Sequence, residues 1–103
     1  MSQQLICDAI NSLSLLQFYY TGDKVPGTRI VEPHQLGYTT AHNLALSAFY
    51  LSGASESNVG PGWKLYKFSE MSQIAVLPTH FSGPRPDYKP GANKVLPQIL
   101  CGI

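Results

Sequence analysis

Residues 28–38 read T-R-I-V-E-P-H-Q-L-G-Y, and no other stretch restricts the folding of this chain as much. Ile30 and Val31 have strand character and lie between a cation, Arg29, and an anion, Glu32. Pro33 removes a backbone donor, and Gly37 permits a tight bend before Tyr38. A strand that ends in charged and aromatic groups beside a proline belongs at the rim of a small β-barrel. Residues 60–67, G-P-G-W-K-L-Y-K, repeat the character, with Lys64 and Lys67 alternating with Trp63 and Tyr66. The two stretches are expected to face one another and to enclose a pocket for an anionic, flat ligand.

The remaining composition supports a β-rich single domain over residues 1–103. At 44% hydrophobic and 11% aromatic the chain can bury a core, and its nine glycines and eight prolines imply many turns and short strands. The net charge of +1 lacks the strongly basic balance of a protein that coats duplex DNA, leaving only a local site of a few cations. Cys7 and Cys101 lie near opposite ends and, with no signal peptide, read as reduced thiols in a cytoplasmic protein, in preference to a disulfide joining the termini. No apolar run approaches the roughly 20 residues of a membrane span.

In chain order, Ser2 is placed to cap a helix over 3–12, where Leu5, Ile6, Ala9, Ile10 and Leu13 recur at helical spacing. This helix should plug one end of a barrel spanning 15–78. Residues 15–20 form the first strand, 21–27 a turn, and 28–35 the second strand of a hairpin. Residues 43–52 are apolar almost throughout, and strand is preferred to helix because turn-rich segments flank them. Residues 53–62 form a polar loop. Residues 63–68 make a fourth strand, with Trp63 and Leu65 alternating against Lys64 and Tyr66. Residues 73–77 make a fifth, stopped by Pro78. The tail, 79–103, should run extended over the surface, with 95–100 as a closing edge strand because of Pro97.

The segments R-I-V-E-P-H-Q-L-G, N-L-A-L-S-A-F-Y and W-K-L-Y-K-F-S-E-M resemble the WYL domain family. The likeness covers about residues 15–81 and is nearest to short stand-alone versions, through E-P-H, P-G-W-K-L and F-S-G-P-R-P-D-Y. It implies a five- to six-stranded Sm-like (Src-homology-3-like) barrel with a ligand groove, of the kind found in bacterial regulators and phage-defence proteins that sense nucleotides or single-stranded nucleic acid. Arg29 matches the family's strand arginine and Lys67 the first arginine of its closing segment. Leu44, Ala45 and Leu46 stand where Trp, Tyr and Leu would be, and Glu70 replaces the second arginine. Those departures bear on ligand specificity and leave the fold expectation intact.

The candidate ligand-binding residues are Arg29, Glu32, His34, Tyr38, Trp63, Lys64, Tyr66, Lys67 and Arg85. Arg29, Lys64 and Lys67 would hold phosphates; the favoured alternative is solvated strand faces, with Arg29 paired to Glu32 or Glu70. Trp63, Tyr38 and Tyr66 would stack a base, with Tyr66 better suited to the core. His34 would bond a phosphate, a ring edge or the local turn. Arg85 would tie the tail down by packing on Trp63, or close over a ligand. Glu32 with His34 is the nearest approach to an acid/base pair. No activated cysteine, paired carboxylates or serine elbow accompanies it, so no enzyme, cofactor or metal site is expected. The expected function is non-catalytic binding of a nucleotide or cyclic nucleotide, as a sensor or a sponge. Short single-stranded nucleic acid is the other ligand. A protein-interaction or homo-oligomerising role, through an exposed strand at 95–100, is the rival from another class.

Overall fold

The computed structural model describes residues 2–54 and 60–103. One helix, α1 (Ser2–Ser12), precedes six antiparallel strands: β1 (Ser14–Tyr20), β2 (Gly27–Tyr38), β3 (Leu44–Gly53), β4 (Gly62–Lys67), β5 (Met71–His80) and β6 (Gln98–Gly102). A 3₁₀ turn, Phe68–Glu70, joins β4 to β5. Ser2 opens the helix, but its side chain, and the part of the expected loop over 55–59, lie outside the described residues. Helix α1 buries Ile6, Ala9 and Ile10, the i, i+3, i+4 stripe legible in the sequence. It ends where Leu13 adopts a positive φ of 55° and Ser12 Oγ bonds back to the Asp8 carbonyl at 2.8 Å.

The strands form one sheet in the order β4-β3-β2-β1-β5, with β6 paired to β2. Strand β2 organises the sheet. Its first half pairs with β1, Leu16 opposite Val31, and its second half with β6, Leu36 opposite Cys101, while β3 runs along its other side. Residues 31–37 are therefore buried on both faces. The inner face carries Leu16, Phe18, Val31, Leu36, Leu46, Ala48 and Tyr66 against α1, each large side chain contributing roughly 1.5–3 kcal/mol by leaving water. The sheet also curls on itself. Tyr20 on β1 accepts a hydrogen bond from the Lys67 backbone N–H at the end of β4 (2.9 Å), and Thr21 N–H reaches the Glu70 carbonyl at 3.0 Å. No ladder joins β4 to β5 among the described residues, so the hydrogen-bonded sheet is open.

Several expectations need correction. Gly37 makes no bend; β2 runs through it, and a Cβ there would strike the Gln98 carbonyl oxygen, so glycine is required for β6 to pair so closely. Pro33 does not end the strand either. Its effect is a bulge in which Pro33 faces Ala48, Gln35 faces Ser47, and His34 is the extra residue. Strand β5 continues through Pro78 to His80, which an edge strand paired only to β1 tolerates. The last strand begins only after Pro97 and runs Gln98–Gly102, not 95–100. Cys7 and Cys101 are not free thiols: they form a disulfide, with Cα atoms 5.8 Å apart. The pairing of β6 with β2 brings the chain's end beside α1, so remoteness in sequence was no barrier.

Candidate functional site

The alternation of β2 and its bulge decide which side chains meet. Val31 and Leu36 point into the core, so the extra residue at 34 lets Glu32, His34 and Gln35 all face outward. Opposite them on the outer face lie Phe49 of β3 and Trp63 of β4, paired in register. The tail crosses this face rather than wandering free. Its entry is set by Phe81, buried, whose N–H bonds to the Leu13 carbonyl at 2.8 Å.

Arg85 closes a two-bond fork on Glu32, Nε to Oε1 at 2.7 Å and Nη2 to Oε2 at 3.0 Å. Its guanidinium lies 3.8 Å from the centre of the Phe49 ring, not on Trp63 as expected. His34, fully buried, bridges strand and tail. Nδ1 meets the Glu32 carbonyl at 2.9 Å and so donates, while Nε2 accepts from the Arg85 backbone N–H at 3.1 Å. Those two bonds specify a neutral imidazole. Burial lowers its pKa, opposed by the Glu32 carbonyl and the Glu32 charge. Trp63 donates Nε1–H to Asp87 at 2.8 Å and packs edge-on to His34 (4.7 Å between centres) and near-parallel to Tyr88 (6.2 Å). Gln35 bonds to the Gly91 carbonyl and to Asn93, whose Oδ1 caps the N–H groups of Val95 and Leu96.

The E-P-H, G-W-K and G-P-R-P-D-Y segments thus converge, bringing Glu32, His34, Trp63 and Arg85 together. Other expected residues lie elsewhere. Arg29 points into the core, 1% exposed, paired to Asp23 at 2.9 Å and beside the Tyr20 ring. Tyr66 is a core residue. Lys67 is exposed, the strand alternation sending it outward where Tyr66 goes in, so Arg29 and Lys67 share no cavity. Tyr38 lies at the far end of β2, opposite Leu44 and Gln98. Phe49, Asp87 and Asn93 were not singled out in the sequence, although an Asn two residues after Pro-Gly is a recognisable turn signal.

Beside the strapped tail two hollows, ≈ 390 and ≈ 280 Å³, share Ser47, Trp63 and Asn93 as walls. Lys64, Leu65, Val95 and Leu96 complete the first, and Gln35, Asp87, Tyr88 and Lys89 the second. The two hollows adjoin along that shared wall, and a lysine lines each of them. Set against protein-family models, curated proteins and solved structures, the chain matches none of them.

Proposed function

We propose that this chain is a WYL-like domain on an Sm-like barrel, and that it binds a nucleotide-type ligand, without altering it, in the groove divided by Trp63. The barrel reading is supported by a helix placed before the strands, the order β4-β3-β2-β1-β5, the 3₁₀ turn between β4 and β5, and the curl that brings Lys67 to Tyr20. The single observation that carries the binding reading is the meeting of the two hollows at Trp63. A base against the indole would leave phosphates to Lys64 on one side or Lys89 on the other. Glu32, His34 and Arg85 then serve by holding down the tail that walls the groove, rather than by touching the ligand.

Trp63 is the sole tryptophan, so its fluorescence reads the groove directly. Mono-, di- and cyclic nucleotides titrated against the protein should give saturable quenching, weakened by Lys64→Ala or Lys89→Ala. Flat titrations across the panel, with no calorimetric heat, would overturn the reading. Saturation by short single strands instead, falling steeply with salt, would assign the groove to nucleic acid. A role as a sensor or sponge in phage defence is part of this proposal. Cytoplasmic residence is not, because a disulfide persists mainly in oxidising compartments. No helix among the described residues is long and apolar enough to cross a membrane. The interaction reading draws on exposed Leu65, Val95 and Leu100, and predicts an elution volume that depends on concentration.

A further inference from the structure

The Cys7–Cys101 bond ties α1 to β6, a strand with little else to hold it. No side chain of β6 is buried; its residues alternate exposed and half-buried, and it pairs with β2 alone among the described strands. Its other attachments are four ladder positions, from Tyr38–Gln98 to Gln35–Gly102, and the Ile103 N–H bonded to the His34 carbonyl at 3.0 Å. Cys101 and Ile103 reach only the margin of the core. An element with so little buried surface belongs to the low-stability part of a fold. The disulfide is also open to reagents. Both cysteines are half-buried, and Cys7 lines a hollow of ≈ 380 Å³ with Gln3, Gln4, Leu36 and Leu100.

Strand β6 in turn holds a wall beside Trp63. The Tyr88 hydroxyl donates to the Ile103 carbonyl at 3.1 Å, and the Gln35 side chain meets the same hydroxyl. Gln35 is itself paired with Gly102. The Tyr88 ring lies near-parallel to Trp63, and Tyr88 and Gln35 both line the ≈ 280 Å³ hollow. A run of contacts therefore leads from the disulfide to the indole through Ile103 and Tyr88.

We propose that the Cys7–Cys101 bond is a redox latch: its reduction releases β6 from β2 and, through Tyr88, loosens the wall of the hollow beside Trp63, while the rest of the sheet stays folded. The inner face supports that last clause, since Leu16, Phe18, Val31, Leu46 and Tyr66 pack together with no buried residue from β6. The reductant is a dithiol. Its thiolate attacks Cys7 Sγ from the hollow, the S–S bond breaks, and Cys101 leaves as a thiolate. The second thiol of the reductant then closes on the first and releases Cys7, so two electrons and two protons pass to the cysteine pair. Strand β6, docked or free, is the two-state element that carries the coupling. The latch acts on the groove whatever the groove binds, and its test uses no nucleotide, so the binding proposal and this one fail separately.

Dithiothreitol is the probe, and two titratable thiols per chain mark full reduction, since the sequence holds two cysteines. Reduction under native conditions should move the amide resonances of residues 98–103 toward random-coil positions and leave those of β1 dispersed. The Ile103 N–H should exchange about tenfold faster or more, and Trp63 emission should shift to the red. In Tyr88→Phe, which keeps the ring without its hydroxyl, reduction should free β6 with no further change at Trp63; a response equal to that of the native protein would remove Tyr88 as the link. A bond that dithiothreitol opens only in urea overturns the proposal, as does a fully reduced protein in which β6 or Trp63 is unmoved. Collapse of the whole spectrum on reduction overturns it too, because the bond would then be a requirement of the fold and not a latch.

Discussion

Acidification should release the tail, and His34 is the reason. Its Nε2 accepts the Arg85 backbone N–H and its Nδ1 donates to the Glu32 carbonyl, so a second proton has no place while the tail is docked. The groups facing the ring are Glu32 from β2, and Arg85 and Asp87 from the tail; Trp63, Phe81 and Tyr88 supply rings. Burial is the largest influence and lowers the folded-state pKa below the usual 6.5 of the unfolded chain. The unfolded state therefore binds the proton first. Stability from this residue is complete above pH 6.5 and is lost as pH falls toward the folded-state value. The loss cannot exceed 1.36 kcal/mol per pH unit, so it reaches at most about 2 kcal/mol at pH 5.0. In a domain of this size that is a fall of roughly 8–16 °C in melting temperature. Urea denaturation of the native protein and of His34→Gln, whose amide oxygen can take the Arg85 N–H, isolates the effect. The native protein should lose stability between pH 6.5 and 5.0 faster than the variant. NMR titration of the His34 ring gives a second reading, set against the 6.5 of an unperturbed imidazole. If His34 titrates at or above 6.5, or both proteins follow one pH curve, the buried neutral imidazole is wrong.

Two further outcomes follow from the same contacts. The Cys7–Cys101 bond closes a separation of 94 residues, so chain entropy alone gives an upper figure of about 4.7 kcal/mol for Cys7→Ser; a urea midpoint unchanged by the variant or by reductant would refute a stabilising disulfide. Arg85→Ala leaves the Glu32 carboxylate, 10% exposed, without its fork and should cost about 2–4 kcal/mol after allowing for the one-third exposure of Arg85, with Trp63 emission shifted to the red; Glu32→Gln in the same background should recover part of it.

The sequence made the strands legible because alternation and turn chemistry are local properties. Residues 14–20 alternate buried and half-buried, and 44–53 form a strand despite good helix formers, because β2 and β4 cover its edges. The motif residues Glu32, His34, Trp63 and Arg85 were legible for the same reason: each carries a distinctive group in a short pattern. Facing was not legible. Arg29 lies inward because it shares alternation with Val31, and only the pairing of β1, β3 and the curled end of β4 around it turns that direction into full burial. Free thiols were the favoured reading over a disulfide for a related reason, as nothing in the residues around Cys101 announces that β6 will dock on the far half of β2.

The bulge at Pro33 is where these two kinds of information meet. A regular strand would send His34 out and Gln35 in; inserting one residue at 34 keeps both out and returns Leu36 to the core. His34 and Gln35 then hold different parts of the tail, Arg85 through Nε2 and Gly91 with Asn93 through the side-chain amide. The proline matters less for the donor it lacks than for the register change beside it. Without that change Gln35 would turn inward, and the segment around Asn93, which walls both hollows, would lose its bonds to the Gln35 amide. The groove therefore depends on a backbone irregularity in β2 as much as on the tryptophan that divides it.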